Sequence, residues 1–249
     1  MPYLLELLLL LTVTSTLRAS AQRSVVTVRE DDVRCLQGVK SSLGDPDGHL
    51  ASWTFSNTSD GTVCEYSGIS CWNPNESRIM VLSFSGFGLT GSVTSSLQYC
   101  STATTLDLSL NRLQGQVPPA LCDWLPFLVS LDLSGNQLSR PIPAELANCR
   151  FLNSLKISDN FFSGQIPTSL ASLDHLKSLD LSDNDLDGQI PPPLGMKFSA
   201  GTFSSNPDLF MPHATFDLAV LFGRPEASAS FGFVFGFADV GVPVVYFSG

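Results

Sequence analysis

Apolar and polar positions form a sequence motif that repeats along the middle of the chain. Each copy reads Leu-x-Leu-Ser-x-Asn-x-Leu-x-Gly-x-Val/Ile-Pro or a close variant of it. The asparagine stands at Asn111, Asn136, Asn160 and Asn184, at intervals of 25, 24 and 24 residues, and a weaker copy places Phe87 another 24 residues earlier. The Leu-x-Leu alternation predicts a short strand in each copy, with its leucines on one face and the residue between them on the other.

A fixed period of this length with leucines in phase is typical of a leucine-rich-repeat solenoid, whose coils bury their apolar faces only by stacking. We therefore predict an α/β solenoid with about five repeats over residues 79–193, each completed by a short helix or turn. The repeated asparagine should bond the backbone of the turn after each strand. The predicted inward pairs are Leu106 and Leu108, Leu131 and Leu133, Leu155 and Ile157, and Leu179 and Leu181.

A bend is predicted where the Gly-x-Val/Ile-Pro phrase follows each strand, because glycine permits conformations that other residues avoid. The third copy has Arg140 where the others have Gly91, Gly115, Gly164 and Gly188. This arginine is expected either to strain the bend or to present a charge to a partner on the lateral face.

Residues 22–78 do not repeat, and we predict that they cap the raw apolar end of the first coil. A short amphipathic helix is predicted over residues 31–40, with apolar Val33, Leu36 and Val39 on one side. The cap is expected to be closed by a disulfide between Cys64 and Cys71.

The remaining cysteines leave two pairings open. Cys100 and Cys149 hold the same phase in their coils, and Cys122 lies two residues earlier in its own. A Cys100–Cys122 bridge would join adjacent coils and leave Cys35 and Cys149 free or buried. The alternative is a Cys122–Cys149 bridge.

Several features predict export. The apolar run 4–13 and the small residues 19–21 indicate a signal peptide over residues 1–21. The chain has 6 cysteines, and the sequons at Asn57 and Asn75 predict N-glycosylation. We expect an extracellular protein or one associated with the plasma membrane.

Charge and composition exclude several functions. The net charge of −10, without a run of Lys or Arg, argues against nucleic-acid binding. The 3 histidines have no metal-ligand spacing, and the chain has no Gly-x-Ser-x-Gly phrase. We therefore expect no enzyme activity, no metal and no cofactor.

A row of side chains on the predicted concave face is the candidate binding site. Equivalent positions between the inward leucines should stack, because adjacent strands lie about 4.8 Å apart. This concave row could be an acidic docking stripe, a weak cation site or merely a solvated face. Its members are Ser83, Asp107, Asp132, Lys156 and Asp180.

Residues 194–249 are predicted to be a degenerate C-terminal cap followed by an apolar tail. The stretch 227–247 has nearly the length of a membrane span, but Asp239 and Pro243 interrupt it and no basic residue follows. Membrane anchoring through this tail is therefore not favoured.

The repeat wording with Gly-x-Ile-Pro resembles the plant-specific leucine-rich repeat, and Trp53 with Cys64, Cys71 and Trp72 resembles the N-terminal cap of plant receptor-like kinases. The sequences of residues 31–38, 68–73, 121–126 and 149–152 are similar to those of the BIR receptor-like kinases. This resemblance implies an ectodomain that binds SERK co-receptors and modulates immune or hormone signalling. Family members continue into a kinase, whereas this sequence has no kinase motif, so we expect a form truncated before the kinase.

Two other functions remain open. A secreted inhibitor of a pathogen cell-wall enzyme, of the polygalacturonase-inhibitor type, would use a similar repeat face, although that group has about twice as many repeats. A truncated, non-functional gene product is the other alternative.

Overall fold

The computed structural model describes residues 26–55, 62–73 and 76–211, together with the backbone of two short strands further along the chain. The predicted signal peptide and both predicted glycosylation sites, Asn57 and Asn75, lie outside the described residues, as does most of the stretch 227–247. Within the described residues, no helix combines the length and the apolarity needed to cross a membrane.

Two sheets run along the stack of coils, and their strands are numbered together in chain order. The first sheet contains β1 (Ile69–Asn73), β2 (Glu76–Ser83), β4 (Thr105–Asp107), β6 (Ser130–Asp132), β8 (Ser154–Lys156) and β10 (Ser178–Asp180). The second contains β3 (Thr90–Gly91), β5 (Arg112–Gly115), β7 (Gln137–Arg140), β9 (Phe161–Gln165), β11 (Asp185–Gln189) and β12 (Asp208–Phe210). Strand β1 is antiparallel to β2, and the other pairs in both sheets are parallel.

Helical segments form part of the cap and complete the coils. The α-helices are α1 (Val26–Ser42), α2 (Leu121–Trp124) and α3 (Pro192–Lys197). The 3-10 helices are Thr62–Glu65, Ser95–Tyr99, Ala144–Asn148, Thr168–Ser172 and Ala200–Phe203. Strands β13 (Phe235–Phe237) and β14 (Pro243–Val245) pair with each other antiparallel.

The core follows the repeat. Leu106 lies opposite Leu131, and Leu131 opposite Leu155, so equivalent leucines stack through the solenoid. All inward side chains predicted from the Leu-x-Leu pairs are buried. The predicted solenoid and its strand faces are confirmed.

The asparagine ladder connects each coil to the coil before it. Asn136 shows the pattern: its Oδ1 accepts the N–H of Leu113 at 2.9 Å, and its Nδ2 donates to the carbonyls of Leu108 at 2.9 Å and Leu133 at 3.0 Å. Equivalent bonds are made by Asn111, Asn160, Asn184 and Asn206. The ladder therefore continues beyond residue 193, through a coil whose asparagine comes only 22 residues after the previous one.

The bend after each strand has a left-handed backbone. Its φ is 110°, 86°, 75° and 80° at the four glycines of the bend, and 78° at Arg140. A residue with a Cβ atom loses about 1–2 kcal/mol in this conformation. The strain expected at Arg140 is therefore present.

The cap covers the first coil with helix α1, which begins at Val26, earlier than predicted. Leu36 and Val39 of this helix are buried, and Trp53 is buried with its ring stacked on Tyr66 at 5.6 Å. The apolar side predicted for the helix is thus the side that seals the solenoid.

The disulfides correct one expectation. Cys64–Cys71 is present as predicted, but Cys100 pairs with Cys35 of helix α1, so the Cys100–Cys122 bridge is wrong. The reason is that α1 packs on the 3-10 helix preceding Cys100, which brings Cα atoms 65 residues apart to within 5.6 Å. The alternative Cys122–Cys149 bridge is present and joins neighbouring coils.

Candidate functional site

The structure places the five residues of the concave row in one line. Ser83 lies opposite Asp107, Asp107 opposite Asp132, and Lys156 opposite both Asp132 and Asp180. The row arises because each residue stands between two buried positions of a strand in the first sheet, so its side chain points away from the core.

Carboxylates of the row are used within their own coils. Oδ1 of Asp132 accepts the backbone N–H of Ser134 at 3.1 Å and its hydroxyl at 2.6 Å. Asp107 and Asp180 make the same pair of bonds to the serine two residues later. These bonds stabilise the turn that ends each strand, so each aspartate has a structural task and its Oδ2 is the oxygen left for other contacts.

Two contacts between neighbouring coils involve the second oxygens of these carboxylates, and one of the contacts is an ion pair. Nζ of Lys156 lies 3.4 Å from Oδ2 of Asp132, and the hydroxyl of Ser83 lies 3.4 Å from Oδ2 of Asp107. In the part of the chain that the structure describes, no three His, Cys, Asp or Glu side chains are placed to hold a metal ion.

An aromatic patch lies at the edge of the first sheet where its strands begin. We call it the aromatic edge and define it by Trp72, Phe127, Val129 and Phe151. Trp72 is 56% exposed and Phe151 is 51% exposed, and the rings of Phe127 and Phe151 stack with their centres 6.2 Å apart. These side chains line a groove of about 420 Å³, to which Arg78 contributes the charged side chain.

Sequence reasoning missed the aromatic edge, although the repeat carried a signal for it. Phe127 and Phe151 each stand four residues before an inward leucine of the next strand, which puts them in the same phase. Trp72 comes from the cap, and its Nε1–H donates to the carbonyl of Thr102 at 3.3 Å. That bond between cap and first coil places the indole beside the phenylalanines, and no period in the sequence indicates it.

A buried carboxyl lies close to this edge. Asp32 of helix α1 is 3% exposed, and its Oδ2 accepts the N–H of Ile79 at 3.2 Å. The pKa of Asp32 is raised from 3.8 to about 7. Burial is the largest cause and the nearby Asp31 carboxylate adds to it, whereas the bond from Ile79 and the Arg78 guanidinium act in the opposite direction. The charge state of this contact between cap and sheet therefore changes near neutral pH.

Family models match both parts of the fold. The leucine rich repeat N-terminal domain matches residues 29–72, and the leucine rich repeat matches residues 103–124, 127–149, 151–173 and 175–196. Among curated proteins of Arabidopsis thaliana, the chain is 50% identical over 129 residues to the inactive LRR receptor-like serine/threonine-protein kinase BIR2, covering 52% of this chain and 21% of that protein. The chain thus spans about a fifth of the length of the curated relatives it matches.

Solved structures from the same plant agree with the fold throughout their length. The BIR2 ectodomain superposes with a TM-score of 0.71 at 46% identity, over 80% of this chain and 98% of that one. A chain of the BIR3–SERK2 complex superposes with a TM-score of 0.70 at 47% identity, over 72% of this chain and 95% of that one. An ectodomain is extracellular, which agrees with the export expected from the sequence. The chain belongs to the leucine-rich-repeat receptor-like kinase ectodomains of plants, and within them to the BIR type.

Proposed function

We propose that this chain is an extracellular protein-recognition module that binds the ectodomain of a SERK-type co-receptor. In this proposal the aromatic edge and the adjoining concave row are the contact surface. By occupying the co-receptor, the chain would modulate immune or hormone signalling through binding alone.

The observation that carries the proposal is the exposure of the aromatic edge. Stacked, half-exposed aromatic side chains beside a groove are typical of the central residues of protein interfaces, where Trp and Tyr are enriched and water is excluded on binding. The neighbouring concave row supplies polar groups for the rim. Further support comes from the similarity to a chain of the BIR3–SERK2 complex.

Calorimetric titration of the secreted chain with a purified SERK ectodomain tests the proposal. We expect binding in the micromolar range or tighter. Phe151→Ala removes half of the stacked pair and should weaken binding by roughly thirtyfold, because truncation of a central aromatic side chain costs about 2 kcal/mol.

A matched control is available at Phe210, which has the same 51% exposure but lies on β12, at the far end of the second sheet. Phe210→Ala should leave the affinity unchanged. If the folded chain releases no heat with the co-receptor, the proposal fails, and inhibition of cell-wall enzymes becomes the function to test. If both variants lose affinity equally, the aromatic edge is not the contact surface.

A further inference from the structure

The buried carboxyl of Asp32 is joined to the aromatic edge by a continuous series of hydrogen bonds. Its Oδ2 accepts the N–H of Ile79 at 3.2 Å, and the carbonyl of Ile79 accepts the hydroxyl of Thr102 at 2.8 Å. The carbonyl of Thr102 in turn accepts the indole N–H of Trp72 at 3.3 Å. The series therefore leads from helix α1, through strand β2 and the first coil, to an exposed ring of the aromatic edge.

On helix α1 itself, the other charged groups near Asp32 lie at the surface. The pKa of Asp32 is raised to about 7, mainly by burial, and the charge of Asp31 adds to the shift. Arg34 forms ion pairs with Asp31 at 3.6 Å and with Glu30 at 3.7 Å, and all three side chains are more than half exposed. Asp32 is thus the carboxyl of this group that is enclosed by the fold.

Strand β2 and the 3-10 helix Ser95–Tyr99 pack against helix α1. The 3-10 helix contains Tyr99 as its titratable residue. Strand β2 carries Glu76 and Arg78, and the guanidinium of Arg78 is a positive charge that acts on Asp32. Arg78 also lines the groove of the aromatic edge. One side chain therefore influences both the buried carboxyl and the proposed contact surface.

We infer that Asp32 makes binding at the aromatic edge proton-dependent, with the partner bound more tightly while this carboxyl carries its proton. The inference rests on the function proposed above. A neutral carboxyl suits the buried contact between α1 and β2, whereas an ionised one adds a charge whose burial is costly. Separation of α1 from β2 admits water to this charge and displaces Ile79, and with it Thr102 and Trp72. Ionisation therefore lowers the population of chains whose aromatic edge is assembled, and the apparent affinity falls with that population.

The test is calorimetric titration of the secreted chain with a purified SERK ectodomain at pH 6 and at pH 8. Since about a tenth of a group with a pKa of about 7 stays protonated at pH 8, we expect binding to be roughly tenfold weaker there than at pH 6. Asp32→Asn keeps the site neutral at both pH values, so its two affinities should differ far less.

Asp123→Asn is the matched control, because Asp123 is an exposed carboxyl on helix α2. This variant should keep the pH dependence of the unchanged chain. Titratable groups of the co-receptor contribute equally to all three titrations, so they do not affect the comparison.

A second measurement follows the coupling without the co-receptor. The indole N–H resonance of Trp72 is one of 3 from tryptophans and is assigned by its loss in Trp72→Phe. In the free chain we expect this resonance to titrate with a midpoint near pH 7, and in Asp32→Asn to stay constant over the same range.

The two measurements separate the possible failures. The inference is overturned if the unchanged chain and Asp32→Asn show the same pH dependence of binding, or if the Trp72 resonance does not titrate. Absence of heat at both pH values, with Trp72 still titrating, refutes the proposed function and leaves the coupling of Asp32 to the aromatic edge in place.

Discussion

Among single residues, Asp32 shows how the environment can decide the chemistry of a side chain. Its carboxyl is enclosed between helix α1 and strand β2, where burial disfavours the charged form. The folded chain holds the proton at pH values at which the unfolded chain has released it. Protonation of Asp32 and folding are therefore linked.

The sign of this linkage gives a prediction. Because the pKa is raised on folding from 3.8 to about 7, the contribution of Asp32 to stability is fully present below pH 3.8 and is lost as pH rises through about 7. Asp32→Asn retains an oxygen for the N–H of Ile79 and removes the titration. We expect the melting temperature of the unchanged chain to fall between pH 4 and pH 7 more steeply than that of the variant. Parallel melting profiles would contradict this assignment.

Strain is a second property of single residues. Leu110 has a φ of 55° and is largely exposed, between glycines at the equivalent positions of the coils on either side, Gly86 and Gly135. Asp159 and Asp183 hold the same position in later coils with similar φ values, and an aspartate tolerates this conformation better than a leucine. The sequence shows which residue departs from the pattern, but only the backbone angles show that the departure is strained.

At the scale of elements, the cap depends on the way helix α1 is held against the first coil. The buried residues Cys35, Leu36 and Val39 form its packed side, and the Cys35–Cys100 bridge ties it to the coil. Such a bridge stabilises mainly by restricting the unfolded chain, and the effect grows with the length of the closed loop. The ends of this bridge lie 65 positions apart in the sequence, against 7 positions for Cys64–Cys71.

Removal of these bridges should therefore have unequal effects. Replacing Cys35 and Cys100 together by alanine should cost about 4 kcal/mol of unfolding free energy, and replacing Cys64 and Cys71 about 2 kcal/mol. The first pair should also expose Trp53, which is now buried, and shift its fluorescence to longer wavelength. Denaturant titrations of both variants measure this order, and equal losses would show that loop length does not determine it.

In the whole molecule, the stabilising contacts run along the stack, from each coil to the next. Each strand of both sheets pairs only with strands of adjacent coils, and each ladder asparagine bonds only its own coil and the one before it. Interactions in such a stack are nearest-neighbour interactions. A defect at the end of the stack should therefore loosen the end and leave the middle intact.

Asn206 offers a test of this property. Asn206→Ala removes the acceptor of the Leu186 N–H and the donor to the Leu181 carbonyl. Hydrogen exchange of amides in β11 and β12 should accelerate, with little change in β4 and β6. Asn136→Ala is the matched change in the middle of the ladder and should accelerate exchange in both directions along the stack. Uniform acceleration by Asn206→Ala would instead indicate one cooperative unit.

The candidate surfaces show where reasoning from the sequence stops. The stacking of Asp107, Asp132 and Lys156 follows from their equal phase, so the concave row could be placed without a structure. The hydrogen bonds between the aspartates and the serines could not be predicted, because several donors lie within reach of each side-chain oxygen. Phe127 and Phe151 share a phase that was present in the sequence, but only their exposed stacking distinguishes them from core aromatics.

The sequence by itself determined the coil: its strand, its inward leucines and its asparagine ladder. These are local properties that each repeat specifies again, so one correct period predicts all of them. Tertiary structure decided the pairing of Cys35 with Cys100, the burial of Asp32 and the meeting of Trp72 with the phenylalanines of the aromatic edge. Each of these depends on how the non-repeating cap docks on the first coil. That contact is determined by the close packing of two surfaces, and the repeat period gives no information about it because the cap does not repeat.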